Sequence, residues 1–350
     1  MHKGRIISEI HNGVIYKDFH YLFPAEITLK QFRKFIQLLP FPVGDSLSYA
    51  SIAHNLFVDR VYRPAGVREM TGTILDELDV FRRGGIFFAY PGIYENIVAL
   101  DVNSLFASVM REMPVPVGDP ILGKEALRQG IFYARAVRNG EEVLFNNLSD
   151  DKSYDQLLFA VGWRTVESPA LKETVDMLYT MRQQFRGTPY EKFFKALLCC
   201  PYGKSMQRRR PTVPKTVPTE RAAEYLRKNS RIIHSYRETP DGQTIFQRYR
   251  SENQYSLMHV GLQVVERARK FMKDIIRQLD SSVIYAQIDS VFIPEETFAK
   301  HADILPIGEA IGQFKIEYRA TTAEIYGKGN YRLSTGSDVK VRKIGRPCLS

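Results

Sequence analysis

Cysteine is scarce in this chain. Only Cys199, Cys200 and Cys348 occur among 350 residues, and their spacing matches no zinc site. So few thiols suit a reducing compartment. No apolar run is long enough to cross a membrane. The opening MHKGRIISEIHNG lacks the apolar core of a signal peptide. These absences argue for a cytoplasmic location and against a membrane partner. What the chain does carry is basic charge, a net +10. That balance suits a polyanionic partner, and equally a merely basic soluble protein. At 44 % hydrophobic, the chain is long enough for two or three modules around a substantial core.

The chemistry concentrates in two stretches. Val283 to Ile293 reads VIYAQIDSVFI, two β-branched runs flanking a polar centre from Gln287 to Ser290. This is a tight-hairpin pattern with Asp289 at or beside the turn. Asp289 has two readings, a turn-former or a carboxylate projected from a rigid base. Asn96 to Met110 reads NIVALDVNSLFASVM, an apolar run that ends in Asp101 ahead of a helix-like stretch. Two carboxylates on adjacent strands suit a pair of Mg²⁺ ions, which prefer a few carboxylates plus substrate phosphates. Such a pair clamps the attacking and leaving oxygens of a phosphoryl transfer.

Three segments together resemble the motifs of family B DNA polymerases. DVNSLF at 101–106 is similar to DxxSLYPS, KALLCCPYGK at 195–204 to KxxxNSxYG, and YAQIDS at 285–290 to YxDTDS. Within that family the protein-primed phage and linear-plasmid polymerases are most similar. The resemblance spans about residues 80 to 345. It implies an α+β fold, with a palm of antiparallel sheet backed by helices and a two-helix fingers element. It also implies template-directed DNA synthesis from dNTPs on a primer-template. Asp101, Asp289 and the Val102 carbonyl would hold two Mg²⁺ ions, with Mn²⁺ as the alternative. Ser104, Leu105, Phe106, Arg182, Lys195 and Tyr202 would meet the nucleotide, Phe106 standing where a tyrosine excludes a 2′-hydroxyl. DNA contacts would come from Arg82, Arg83, Gly84, Gly85, Gly203, Lys204, Arg208, Tyr285, Ser290, Lys328 and Tyr331.

The departures from the pattern are specific. Gln287 replaces the first aspartate of the third motif, which keeps an oxygen and loses a charge. Cys199 and Cys200 replace Asn-Ser, Pro201 sits inside the expected helix, and Ala107 replaces proline. Arg82 stands where a tyrosine precedes the double glycine. Lys328-Gly329-Asn330-Tyr331 is one residue longer than Lys-x-Tyr. These changes keep a second class of function open, a polymerase-like nucleic-acid-binding protein without catalysis, or one subunit of a split polymerase. A nuclease is a third class, disfavoured because Lys195 and Phe106 have no purpose there.

The expected organisation follows chain order. Residues 1–80 are an N-terminal helical remnant or substitute for the exonuclease domain, with no exonuclease, since Asp18, Asp45 and Asp59 lack its arrangement. Residues 81–168 begin the palm, 169–210 form the fingers, 211–333 complete the palm, and 334–350 are a short tail or rudimentary thumb. A capping box at Thr28 predicts a helix over Leu29–Leu39, and a second is predicted over Ser46–Phe57. Asn139-Gly140 and Asp241-Gly242 predict hairpins. Helices are predicted over Leu171–Gln184, Tyr190–Met206, Thr219–Lys228 and Gly261–Leu279. The short interval between Asp101 and Lys195 puts a priming-protein partner in doubt, and a missing-domain subunit is the other partner expected.

Overall fold

The computed structural model describes residues 5–11, 14–21, 34–35, 37–43, 49–208, 212–239, 241–249, 254–279 and 282–342. The chain folds into two compact units. One comprises Met1–Phe81, Pro114–Leu144 and Tyr154–Gly261; the other Arg82–Met113, Phe145–Ser153 and Leu262–Ser350. The expected boundaries run differently: the 81–168 and 211–333 stretches are each divided between the two units, and the 1–80 region, expected to be helical, contributes the strands Arg5–His11 and Val14–Tyr21.

In the first unit the Pro169–Gln184 helix starts as its sequence dictates. The Ser168 hydroxyl accepts the Leu171 N–H, and Pro169 occupies the first turn, where its missing N–H costs nothing. Leu171, Val175 and Leu178 recur at helical spacing and are buried. The expected Tyr190–Met206 helix is two helices, Glu191–Cys199 and Pro201–Met206. Proline cannot donate to the preceding turn, so the break falls at Cys200. Phe35, Phe185, Tyr190, Phe193 and Phe194 pack ring on ring, Phe35 and Tyr190 stacking at 4.1 Å. The helix expected over Thr219–Lys228 spans Thr219–Asn229. The cap position is Pro218, and the Thr219 hydroxyl pairs with Thr244 at 3.1 Å.

This unit also holds a five-stranded sheet. Its order is Arg5–His11, Val14–Tyr21, Ile233–Glu238, Gln243–Tyr249, Thr212–Pro218. A four-stranded sheet runs Val115–Leu122, Gln156–Val166, Ile131–Arg138, Glu141–Asn146. Asn139 and Gly140 both have positive φ, 52° and 80°, as a hairpin turn of the expected kind requires. The Leu29–Leu39 helix lies largely outside the described residues. So does the start of the Ser46–Phe57 helix, which is described from Tyr49 to Phe57.

The second unit is built on a seven-stranded antiparallel sheet. Its order is Val339–Arg342, Asn330–Ser334, Phe314–Gly327, Gly92–Val102, Ser290–Pro294, Tyr285–Gln287, Phe87–Ala89. The long Gly92–Val102 strand is central, and side chains alternate across it. Val98, Leu100 and Val102 face one core with Ala268, Met272 and Ile275 of the Met258–Gln278 helix. Ile97 and Ala99 face another, with Tyr285, Phe292, Tyr331 and Leu333. An antiparallel sheet backed by a helix is the α+β arrangement the resemblance implied.

Candidate active site

The second unit brings Asp101 and Asp289 together. Ser290 lies directly opposite Asp101 across the ladder, so the hairpin turn sits against the end of the central strand. The turn is fixed on that side by the Val102 N–H, which donates to the Asp289 carbonyl at 2.9 Å. Asp101 belongs to the last turn-ward residues of its strand and is half-buried. Ser290 Oγ donates to Asp101 Oδ1 at 3.2 Å. Lys315, opposite Asp101 on the other neighbouring strand, places Nζ 2.7 Å from Oδ2. Both carboxylate oxygens are therefore held.

The electrostatics follow from this geometry. Burial, and then the charge of Asp101, push the Asp289 carboxyl up to about 6, against the pull of Lys315. Lys315 also lies 3.5 Å from Glu317, whose other oxygen is 3.1 Å from Lys340 Nζ. Burial works against the Lys315 charge, yet Asp101 and Glu317 together hold its ammonium above the ordinary lysine range. Burial also opposes the charge of Glu317, but Lys340 and Lys315 keep that carboxyl below its usual range. Lys315, Glu317 and Lys340 are site residues that the motifs did not reveal. The only signal was Lys-x-Glu at strand spacing, which puts both side chains on one face.

Two carboxylates and nearby backbone carbonyls are hard oxygen donors of the type Mg²⁺ takes. Among the described residues, no group of three or more His, Cys, Asp or Glu is arranged to hold a metal ion. The donor set fits an ion that shares its shell with a substrate, not a closed structural site.

The remaining expected residues are distributed as follows. Ser104 precedes the Leu105–Arg111 helix with φ 53°, Leu105 is buried, and Phe106 packs against the core beneath the central strand. The Tyr285 hydroxyl donates to the Gln287 side-chain oxygen. Its ring stacks on Phe292 at 4.6 Å and meets Tyr331 edge-on at 5.4 Å. Tyr285 and Tyr331 are 1 % and 3 % exposed, so both rings are core and neither presents a face to DNA. Lys328 is exposed, its ammonium 5.1 Å above the Phe87 ring. Arg82, Arg83 and Gly84 are exposed, whereas Gly85 is half-buried.

Six expected contacts lie in the first unit. Arg182 is 3.5 Å from Glu191, and Lys195 is exposed on the Glu191–Cys199 helix. Tyr202, Gly203 and Lys204 lie on the Pro201–Met206 helix, where Gly203 is exposed with open space at its Cα. Arg208 is engaged within the protein, at 2.7 Å from Asp76 and 3.0 Å from the Leu75 carbonyl. Its neighbours Arg209 and Arg210 lie outside the described residues.

Comparison with known proteins supports the family resemblance over part of the chain, including the 101–106 segment. Residues 25–136 match the family described as DNA polymerase type B, organellar and viral. No curated protein matches the chain. Among solved structures, the chain is similar to phi29 DNA polymerase in a ternary complex with primer-template DNA and incoming nucleotide. The TM-score is 0.63 at 15 % identity, covering 95 % of this chain and 68 % of that one. The orthorhombic form of phi29 DNA polymerase gives 0.63 at 14 % identity, covering 91 % and 62 %. The complex with single-stranded DNA gives 0.61 at 15 %, covering 91 % and 62 %. The likeness is one of fold, and the chain spans roughly two thirds of those polymerases' length. The expected α+β polymerase fold and the family resemblance are both borne out. Among the described residues, no helix is long and apolar enough to cross a membrane.

Proposed function

We propose that this chain, a protein of type B DNA polymerase fold, is a template-directed DNA polymerase. The observation that carries the reading is the convergence of Asp101 and Asp289 at the end of adjacent strands, close enough for one charge to raise the other's pKa. In the reaction a primer 3′-oxygen attacks the α-phosphate of a dNTP. One P–O bond forms, one breaks, and pyrophosphate leaves.

Asp101 and Asp289 would hold the divalent ions, with the Val102 carbonyl as a further oxygen donor. Two Mg²⁺ ions, or Mn²⁺ in their place, supply the charge that stabilises the attacking and leaving oxygens. Ser290 orients Asp101 through its hydroxyl, and Lys315 neutralises it until cations arrive. Phe106 would exclude a 2′-hydroxyl by bulk, beside Ser104 and Leu105. Arg182 and Lys195 are cations of the kind a triphosphate requires, and Tyr202 offers a ring for base stacking. Arg82, Arg83, Lys204 and Lys328 are the basic groups assigned to the DNA backbone, with Gly203 leaving room for a template base, whereas Arg208 is engaged by Asp76. In this reading the seven-stranded sheet is the palm, and the helices over 169–206 are the fingers.

Primer extension on a recessed duplex tests the proposal, run beside Asp101→Ala and Asp289→Ala. Extension that both substitutions abolish supports a two-metal polymerase. Duplex binding without incorporation under any divalent metal would favour a non-catalytic or split-subunit role. The departures at Gln287, Cys199 and Ala107 lie behind that second reading, and the Lys315 contact on Asp101 adds to it. Gln287 removes one charge from the site, so saturation should need more Mg²⁺ than an aspartate at this position would demand.

A further inference from the structure

The double-glycine segment Gly84-Gly85 was expected to touch DNA through both residues. We infer that Gly85 instead positions Asp289, as the spacer against which the strained hairpin turn closes. The inference rests on the polymerase reading of Asp289 and deepens it.

The turn between Gln287 and Ser290 is made by Ile288 and Asp289. Ile288 has φ 60°, a left-handed conformation that a β-branched residue adopts only under constraint. Such a strained residue persists only where its surroundings impose it. Its side chain does not supply that constraint, being 39 % exposed. The backbone does. The Ile288 N–H donates to the Ile86 carbonyl at 2.8 Å, and Gln287 pairs with Phe87. On the opposite side the Asp289 carbonyl accepts from Val102. The turn is thus pinned between two strands, with the Asp289 side chain on the pinned residue.

Gly85 is what allows the first pin. A Cβ at position 85 would lie 3.0 Å from Ile288 Cα, 3.1 Å from its Cγ1 and 3.3 Å from its Cβ. One of those contacts is backbone, so it cannot rotate away. Gly85 does not have the left-handed φ that would itself call for glycine, so the residue is there for space. Gly84 differs, because its Cα faces nothing within 4 Å. The strap is anchored from the helix by Arg269 Nη1, 2.6 Å from the Gly84 carbonyl. A methyl group at 85 would push the turn from the Ile86 carbonyl and carry Asp289 with it. The shift called for is a few tenths of an ångström, a fraction of the roughly 1 Å of misplacement that costs on the order of 100-fold in rate at a reacting centre.

The experiment is a cycle of Gly85→Ala, Ile288→Gly and the double variant, with Gly336→Ala as control. Position 336 has open space and no left-handed φ. Four quantities are read: melting temperature with chelator, Mn²⁺ affinity by paramagnetic resonance, duplex DNA affinity, and extension kcat against KM. Gly85→Ala should weaken Mn²⁺ binding by about tenfold and lower kcat, with DNA affinity within about twofold of wild type. Ile288→Gly removes two of the three clashes and frees the backbone, so the double variant should regain most of the loss. The control should match wild type. Wild-type melting or Mn²⁺ affinity in Gly85→Ala overturns the inference. So does lost DNA affinity with Mn²⁺ binding intact, and so does a double variant no better than the single. Failure of the underlying reading looks different, as Mn²⁺ binding that is equal in wild type and Asp289→Asn.

Discussion

Lys315 and Asp101 face each other across neighbouring strands, the ammonium 2.7 Å from a carboxylate oxygen. On the proposed metal role of Asp101, the ammonium competes with a divalent ion for the same carboxylate oxygen. Lys315→Met should therefore tighten Mn²⁺ binding. The side chain is 44 % exposed, which limits a screened pair of this kind to about 1 kcal/mol, or about fivefold in affinity. Equal or weaker Mn²⁺ binding in the variant would show that Lys315 holds Asp101 in place for the ion and does not compete with it.

His259 gives a pH signature in the first unit. It is fully buried, stacked on Trp163 at 4.7 Å, and burial depresses its pKa to about 3. The folded state therefore holds the neutral ring. Its stabilising contribution is complete above the ordinary value of about 6.5 and is lost as pH falls towards 3. Within that window wild type should lose about 1.4 kcal/mol per pH unit relative to His259→Phe. Denaturant titrations of both proteins at pH 7 and pH 5 measure the difference. Parallel curves would mean the ring finds a proton acceptor when charged.

Lys328 is a discriminating test of the DNA assignments, because it is exposed where Tyr331 is buried. Lys328→Ala should weaken duplex binding similarly for all sequences. It should also reduce the slope of log affinity against log salt by about 1. An unchanged slope would leave Lys328 a partner of Phe87 alone.

Arg135 forms two parallel hydrogen bonds to Glu77, at 2.9 and 3.1 Å, with both side chains largely covered. Glu77→Ala leaves that guanidinium with Glu142, 3.6 Å away. A loss of about 1–2 kcal/mol is expected, read as a lowered denaturation midpoint. A loss below about 0.3 kcal/mol would class the pair with ordinary surface bridges.

Much of this protein was legible in the sequence because it is set locally. Alternating apolar runs made the strands around Asp101 and Asp289, Asn139-Gly140 made its hairpin, and helical spacing placed Ala268, Met272 and Ile275 on one face. The short polar centre of the 283–293 stretch put Asp289 in a turn. Cross-strand register was not legible, because it depends on residues far apart in the chain, and a one-residue slip would send Lys315 to the opposite face. Only the folded sheet decided that Lys315 would neutralise Asp101, and that Tyr285 and Tyr331 would become core instead of surface. It also decided that Gly85 would serve the turn of Ile288. A glycine chosen for space looks the same in sequence as one chosen for flexibility, and only the neighbouring backbone tells them apart.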